Sequence, residues 1–357
     1  MYRHSKKLDF TGQPIFTGID TGKKSWEVCI MTQEFEHKTF HTTPRVEAVV
    51  SYLHRHFPGG TYKCVYEAGC LGYWIQEQFL ERGVETIVVS PADVPTKGKE
   101  RVRKNNRVDA RKLARGLRSG DLEAIYIPSR QAQQDRTLVR MRASLVKKQT
   151  RVKNQIKALL TFYGVVLPED ICDTYWSRRY LSWLETWANQ GGNQGYAMSL
   201  LLRELAGLRA MILEVSRKIR DLSRTDRYRQ AATLLVSIPG VSTLSGMILL
   251  TELIDISRFE NCNQLRSYIG IVPGENSTGE EESITGLPPR RNPFLRTLII
   301  EAAWVAVRKD PAMILAFTEL SARMKKNEAI IRIARKLVNR IWYVLTRNQP
   351  YQLGVVE

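Results

Sequence analysis

The chain has 357 residues, 43% hydrophobic and 25% charged, enough for two or three domains with a sizeable core. Its formal net charge of +18 points to a polyanionic partner, nucleic acid before any other. No long apolar span and no basic amphipathic anchor at the N-terminus speak for a membrane, and the opening MYRHSKKLDF is too polar for a signal peptide. The five cysteines, Cys29, Cys64, Cys70, Cys172 and Cys262, form no CxxC pair, which favours a reduced, intracellular setting over a disulfide framework. Four of the five histidines crowd between His37 and His56 in no standard zinc spacing.

The first third reads as alternating strands and helices. FTGID (16–20), WEVCIM (26–31) and EHKTFHT (36–42) have strand character, with the turn-like TGKK between the first two. Pro44 opens a helix that Pro58-Gly59-Gly60 stops. TYKCVYEAG (61–69) predicts a fourth strand, LGYWIQEQFLERG an amphipathic helix, and VETIVVS (84–90) a fifth strand. A basic loop, PADVPTKGKERVRK, leads into a helix over KNNRVDARKLARGL. Hairpin-like strands followed by βαβα units predict one mixed sheet with helices packed on it.

Three acids sit at telling places: Asp20 ends the first strand, Glu67 lies near the end of the fourth, and Asp109 is early in the helix after the fifth. Functional groups of α/β sheets gather at strand ends beside the topological switch point. Carboxylates converging there would hold Mg²⁺, with water and phosphate oxygens completing its shell. Asn106 lies three residues before Asp109 and so shares its helix face, offering a neutral oxygen. From Lys97 to Arg118 ten Lys/Arg stand against two acids. Lys97, Lys99, Arg101, Arg103, Lys104, Arg107 and Arg111 are therefore candidates to grip a phosphate backbone.

The order TGIDTGK, VYEAGC, NNRVDARKLA resembles the DEDD transposases of bacterial insertion sequences, the bridge-RNA-guided recombinases. The resemblance implies a RuvC-like, ribonuclease H-type domain with a metal set of Asp20, Glu67, Asn106 and Asp109. The family has an acid where this chain has Asn106, and one fewer negative charge weakens Mg²⁺ binding.

After Pro128 the sequence turns helical. Leu138, Met141, Leu145, Val152 and Leu159 recur at helical steps, and Leu201, Leu205, Leu208, Ile212, Val215, Ile219 and Leu222 step by four and three in strict alternation. A 3.5-residue repeat predicts a coiled-coil seam or an intramolecular helical hairpin. Trp176, Trp183 and Trp187 read as packing residues at its tip. In the resembling family this region is used for self-association, so a dimer or dimer of dimers is expected.

LLVSIPGVSTLSGMILLTELIDISRF (234–259) predicts helix, tight turn, helix, with Gly240 at the turn and Ser242 or Thr243 as N-cap. Such a helix-hairpin-helix-like unit offers free N–H groups to a phosphate; a plain αα-corner is the bland alternative. The stretch 263–311 resembles the C-terminal transposase domain of the same family through Gly270, Val272-Pro273, Ser277-Thr278-Gly279, Arg290-Arg291 and Leu295-Arg296. The resemblance implies a hydroxyl nucleophile: Ser277 is favoured and Thr278 is the fallback, because its branched Cβ hinders attack. Read alone, Asn276-Ser277-Thr278-Gly279 is a polar turn. Arg290, Arg291 and Arg296 are candidate phosphate contacts. The tail, SARMKKNEAIIRIARKLVNRIWYVL, predicts one basic amphipathic helix with Ile331, Ala334, Leu337 and Val338 inward and Arg332, Arg335, Lys336 and Arg340 outward.

The expected fold is thus α/β plus all-α. Residues 1–128 form a RuvC-like catalytic domain, 129–228 a coiled-coil domain and 229–357 a C-terminal transposase domain. The resemblance implies an Mg²⁺-dependent transposase of the bacterial cytoplasm and nucleoid. It would cleave and rejoin donor and target DNA through a covalent Ser/Thr-phosphate, guided by a structured RNA. A metal-dependent, structure-selective nuclease and a catalytically impaired RNA/DNA-binding scaffold are the rival readings.

Overall fold

The computed structural model describes residues 9–94, 106–172, 174–272 and 292–354, and the backbone of 274–278 and 281–285. The chain divides into two compact units, Met1–Ile127 and Pro128–Glu357.

The first unit is built on a five-stranded sheet ordered β3-β2-β1-β4-β5. The strands are β1 (Pro14–Thr21), β2 (Trp26–Met31), β3 (Glu36–Thr42), β4 (Thr61–Glu67) and β5 (Glu85–Val89). β1, β2 and β3 are antiparallel neighbours, and β4 and β5 continue the sheet in parallel with β1. Period-two alternation divides the apolar residues between two faces. Ile15, Ile19, Trp26, Val28, Ile30, Cys64, Tyr66 and Val88 pack against α1 (Val46–His56) and α2 (Trp74–Glu81). On the other face Phe16, Cys29 and Met31 meet Ala110 and Ala114 of α3 (Asn106–Ser119), and Val65 and Val89 meet its Leu113.

Gly18 decides how closely α3 approaches. A Cβ there would lie 2.3 Å from both the Ala110 carbonyl oxygen and the Ala114 nitrogen, so only glycine lets the helix backbone rest on β1. The helix crosses Gly18 at Ala110–Ala114, and its Arg107 lies 3.7 Å from Glu27, the β2 residue opposite Asp20, which sets its first turn toward the carboxyl end of β1.

Among its described residues the second unit is helical apart from one hairpin. α4 (Arg130–Phe162), α5 (Arg178–Ala188) and α6 (Gly192–Ser223) share a core of Leu145, Val152, Ile156, Leu160, Tyr180, Leu184, Met198, Leu205 and Leu208. The heptad pattern thus packs within the chain as a helical hairpin, and Trp176, Trp183 and Trp187 lie against that core near the tip. Met141, expected in the seam, is 48% exposed; Val139 is buried instead, because Met141 falls at the rim of the apolar stripe.

The remaining elements are α7 (Arg229–Val236), α8 (Thr243–Leu253), α9 (Cys262–Ile269), the hairpin β6 (Gly274–Thr278) and β7 (Glu281–Thr285), α10 (Pro293–Ala306), α11 (Pro311–Arg323) and α12 (Lys326–Arg347). α10 and α11 begin with proline behind Asn292 and Asp310, whose side chains each accept two backbone N–H groups. The expected single tail helix breaks at Met324 into α11 and α12. The inward face of α12 is Ile330, Ile333, Ala334, Leu337, Val338 and Ile341, so Ile331 is at the margin rather than the centre. Among the described residues no helix is long and apolar enough to cross a membrane.

Candidate active site

The sheet register assembles an acidic row. Ile19 pairs with Tyr66 across the parallel strands β1 and β4, so Asp20 and Glu67 follow side by side on the same face at the carboxyl ends. Both are half-buried. That face is the one α3 covers, and α3 carries Asn106, exposed, and Asp109, half-buried, in its first turn. The Lys112 ammonium donates to Asp109 at 3.2 Å. All four expected residues therefore belong to one end of one unit.

The row is longer than the sequence reading expected. Asp20 pairs with Glu27 across β1 and β2, and Glu27 with His41 across β2 and β3. Glu27 is 14% exposed in its side chain and meets the His41 ring nitrogen at 3.0 Å. Its Oε2 is buried without a hydrogen bond, with Arg107 Nε 3.7 Å away. Arg107 is the residue after Asn106, so Glu27 helps hold the first turn of α3 above the sheet end. The signal in the sequence was an acid inside a strand on the same parity as Cys29 and Met31.

Adjacent carboxylates suit a hard divalent cation: Mg²⁺ is commonly bound through one or two carboxylates and keeps its waters or takes phosphate oxygens. Asp20 and Glu67 provide that pair, and Asp109 a third acid in the overlying turn. Among the described residues, no three of His, Cys, Asp and Glu are gathered closely enough to hold one ion by themselves. Two adjacent carboxylates would suit a divalent cation whose shell is completed by water or substrate oxygens.

Of the expected cations, Lys97, Lys99, Arg101, Arg103 and Lys104 lie outside the described residues. Arg107 is exposed, whereas Arg111 donates to Glu36 of β3 at 2.9 Å and ties α3 to the edge strand.

In the second unit, Ser277 and Thr278 end β6, with Glu282 and Glu281 as their backbone partners on β7. This stretch is a strand, not the turn that its polar composition suggests. Arg290 and Arg291 lie outside the described residues. Arg296 is buried, at 7% exposure, within the helical core, which removes it from the surface expected to meet phosphate. Gly240 has φ +95°, and a Cβ there would lie 2.4 Å from the Ala302 carbonyl oxygen; packing against α10 accounts for this glycine. Ser242 caps α8: its N–H donates to Ser245 Oγ at 2.6 Å and its Oγ accepts the Ser245 N–H at 3.2 Å, a closed capping box. On α12, Arg335 donates to the Ile271 carbonyl at 2.7 Å and Arg340 pairs with the buried Asp310, so only Arg332 and Lys336 of that basic face are exposed.

One acid escaped the sequence reading altogether. Glu252 is fully buried in α8, where Arg140 Nε and Nη2 donate to its two oxygens at 2.6 and 2.8 Å and Asn292 Nδ2 donates at 3.2 Å. Burial pushes its pKa up, but the Arg140 guanidinium and its neighbours outweigh burial and hold it below the ordinary Glu value.

Comparison with known proteins agrees with this arrangement. Residues 17–165, which include all the acids of the sheet end, match the DEDD-type transposase family model of the IS110 group. Residues 232–319, which include the β6–β7 hairpin, match the model described as Transposase IS116/IS110/IS902 family. Relatives include y4qE of Sinorhizobium fredii (strain NBRC 101917 / NGR234), a transposase by name, 31% identical over 78% of this chain and 74% of its own. The transposase for insertion sequence element IS1111A of Coxiella burnetii is 27% identical over 82% of this chain and 80% of its own. That for IS1533 of Leptospira borgpetersenii is 22% identical over 90% and 98%. The chain belongs to the IS110/IS116/IS902 family of insertion-sequence transposases. Its substrates are accordingly DNA, and its activity lies in DNA transposition and recombination.

Proposed function

We propose that this transposase is an RNA-guided recombinase of the RuvC type that cuts and rejoins DNA through a covalent link to its own hydroxyl. The observation that carries the proposal is the register that sets Asp20 beside Glu67 at the carboxyl ends of two parallel strands, under the α3 turn bearing Asp109. The sheet order β3-β2-β1-β4-β5 supports the ribonuclease H-like assignment.

Asp20, Glu67 and Asp109 would hold one or two Mg²⁺ ions, with Asn106 as a neutral fourth ligand. A bound ion supplies positive charge to a phosphate oxygen of the substrate. The chain's own groups do the rest. The Ser277 hydroxyl, or failing it Thr278, attacks phosphorus; the new O–P bond forms as the bond to the leaving sugar oxygen breaks. The hydroxyl proton passes to solvent, and the leaving oxygen takes one up. Attack by another strand's sugar hydroxyl reverses the step and rejoins DNA. The covalent link preserves the bond energy, and the sequence carries no GxxxxGK[ST] loop for a nucleotide. Arg290 and Arg291 are the candidate phosphate clamps. A structured RNA selects donor and target by base pairing. The acid half (1–128) and the hydroxyl half (229–357) come from different protomers of a dimer or dimer of dimers joined through 129–228.

The test combines purified protein, the element's flanking RNA, Mg²⁺ and end-labelled target DNA on a denaturing gel. A protein-linked DNA band is expected. Free cut ends alone would instead indicate a water-using nuclease, and binding without cleavage a scaffold. Asn106→Asp adds a negative charge and should lower the Mg²⁺ concentration needed for half-maximal linkage.

A further inference from the structure

α4 is the most one-sidedly charged element described. Its 33 residues carry nine Lys/Arg and a single acid, Asp135. That acid is buried at the base of the helix and already engaged, accepting from Tyr228 Oη at 2.8 Å and Gln131 Nε2 at 3.0 Å, with Arg227 at 3.7 Å. From Arg142 to Lys157 there are six cations and no acid.

The neighbouring elements do not make up the balance. Arg142 is half-buried, donates to Ser216 Oγ at 2.8 Å and faces Arg220. Lys153 sits 5.2 Å over the Trp176 ring and faces Arg209 and Lys157. Burial first, and these like charges second, lower the pKa of both Arg142 and Lys153. An ordinary solvated helix intersperses acids with bases three or four residues apart, which stabilises it; here like charges accumulate instead.

The face of α4 turned away from α5 and α6 has a matching composition. Ser144, Lys147, Lys148, Arg151, Asn154 and Gln155 are all exposed. Cations with small polar donors are the side chains that contact DNA phosphates, and no carboxylate stands among them to repel one. The stretch is about 17 Å long at 1.5 Å per residue. A strand advancing about 3.4 Å per phosphate sets some five phosphates against it.

We infer that this face of α4 is a docking surface for the sugar–phosphate backbone of duplex DNA, separate from the acidic sheet end and the hydroxyl hairpin. DNA is the polyanion that a transposase must hold on both sides of a cut, and a face without base-sized side chains grips it regardless of sequence. The surface would anchor flanking DNA along the helical hairpin while the reacting strand is handled elsewhere. The inference rests on the transposase family and on α4 alone, so it stands or falls independently of the covalent-hydroxyl mechanism.

The test is the salt dependence of binding by the full-length protein to a short duplex unrelated to the element, followed by fluorescence anisotropy. Each phosphate contact contributes about 0.9 to the slope of log K against log salt. Lys147→Gln/Lys148→Gln/Arg151→Gln should make that slope shallower by about three and weaken binding at least about tenfold at low salt. Each single change should remove about one, which covers the case of a triple variant that does not fold. Lys147→Arg/Lys148→Arg should keep the wild-type slope. An unchanged slope in the folded variants would overturn the inference. So would a change seen with structured RNA while duplex DNA is bound as before.

Discussion

The two groups of carboxylates in this molecule live under opposite conditions. Asp20, Glu67 and Asp109 are half-buried at the end of a sheet, aligned by strand register and by the close approach of α3. Glu252 is fully buried among helices and closed in by Arg140 and Asn292. An enclosed, fully hydrogen-bonded acid belongs to the fold, because its charge is already spent on neighbours. Acids near one another with some water access are suited to a cation and a phosphate. Burial separates the two: Glu252 serves the architecture of the second unit, whereas the half-buried acids of the first are the ones proposed for chemistry.

Substitutions sharpen that contrast. The largest effect is expected at the sheet end: Asp20→Ala should reduce DNA cleavage by about 1000-fold or more while leaving the urea midpoint nearly unchanged. An activity loss matched by an equal loss of stability would return Asp20 to the architectural class. Next is Gly18→Ala, whose Cβ would collide with the backbone of α3. It should destabilise the first unit by about 3 kcal/mol in urea unfolding and displace Asp109 from Asp20.

Glu252→Ala should cost about 2 kcal/mol, less than for a fully buried pair because Arg140 is 55% exposed and can rehydrate. The pH dependence of stability tests the same residue. The folded-state pKa of Glu252 is depressed. Its stabilisation is therefore complete above the ordinary Glu value of about 4.3 and is lost as pH falls through the depressed folded value. Glu252→Gln should flatten that acid limb; an unaltered limb would assign it to other carboxylates. The smallest effect is expected for Ser242→Ala, which opens the capping box of α8 at about 1 kcal/mol.

The first unit was the more legible half of the sequence. Alternation and turn residues placed all five strands, and Asp20 and Glu67 declared themselves as acids at strand ends. Glu27 did not, since only the pairing of β1 with β2 brings it opposite Asp20. In the second unit, the heptads of α6 announced a packed seam, but Glu252 is held by an arginine 112 residues away, a distance no local pattern reports. Arg335 and Arg340 looked like surface cations for the same reason: their partners, the Ile271 carbonyl and Asp310, lie far off in the sequence. Read alone, Asn276-Ser277-Thr278-Gly279 has the composition of a turn, because Asn and Gly are depleted in strands; only the pairing with β7 makes 276–278 a strand. Periodicity reports which face of an element is buried; it is silent about the distant partners of a polar side chain.

The central claim is that the acids of the sheet end and the alcohol of the β6 strand act on one phosphodiester. Peptide mapping by mass spectrometry, after reaction with Mg²⁺, guide RNA and target DNA and trimming of the DNA with nuclease, measures it most directly. A nucleotide adduct on Ser277, or on Thr278, that disappears in Asp20→Ala is predicted. Cleaved DNA with no adduct on either residue, or an adduct that persists without Asp20, would contradict the account.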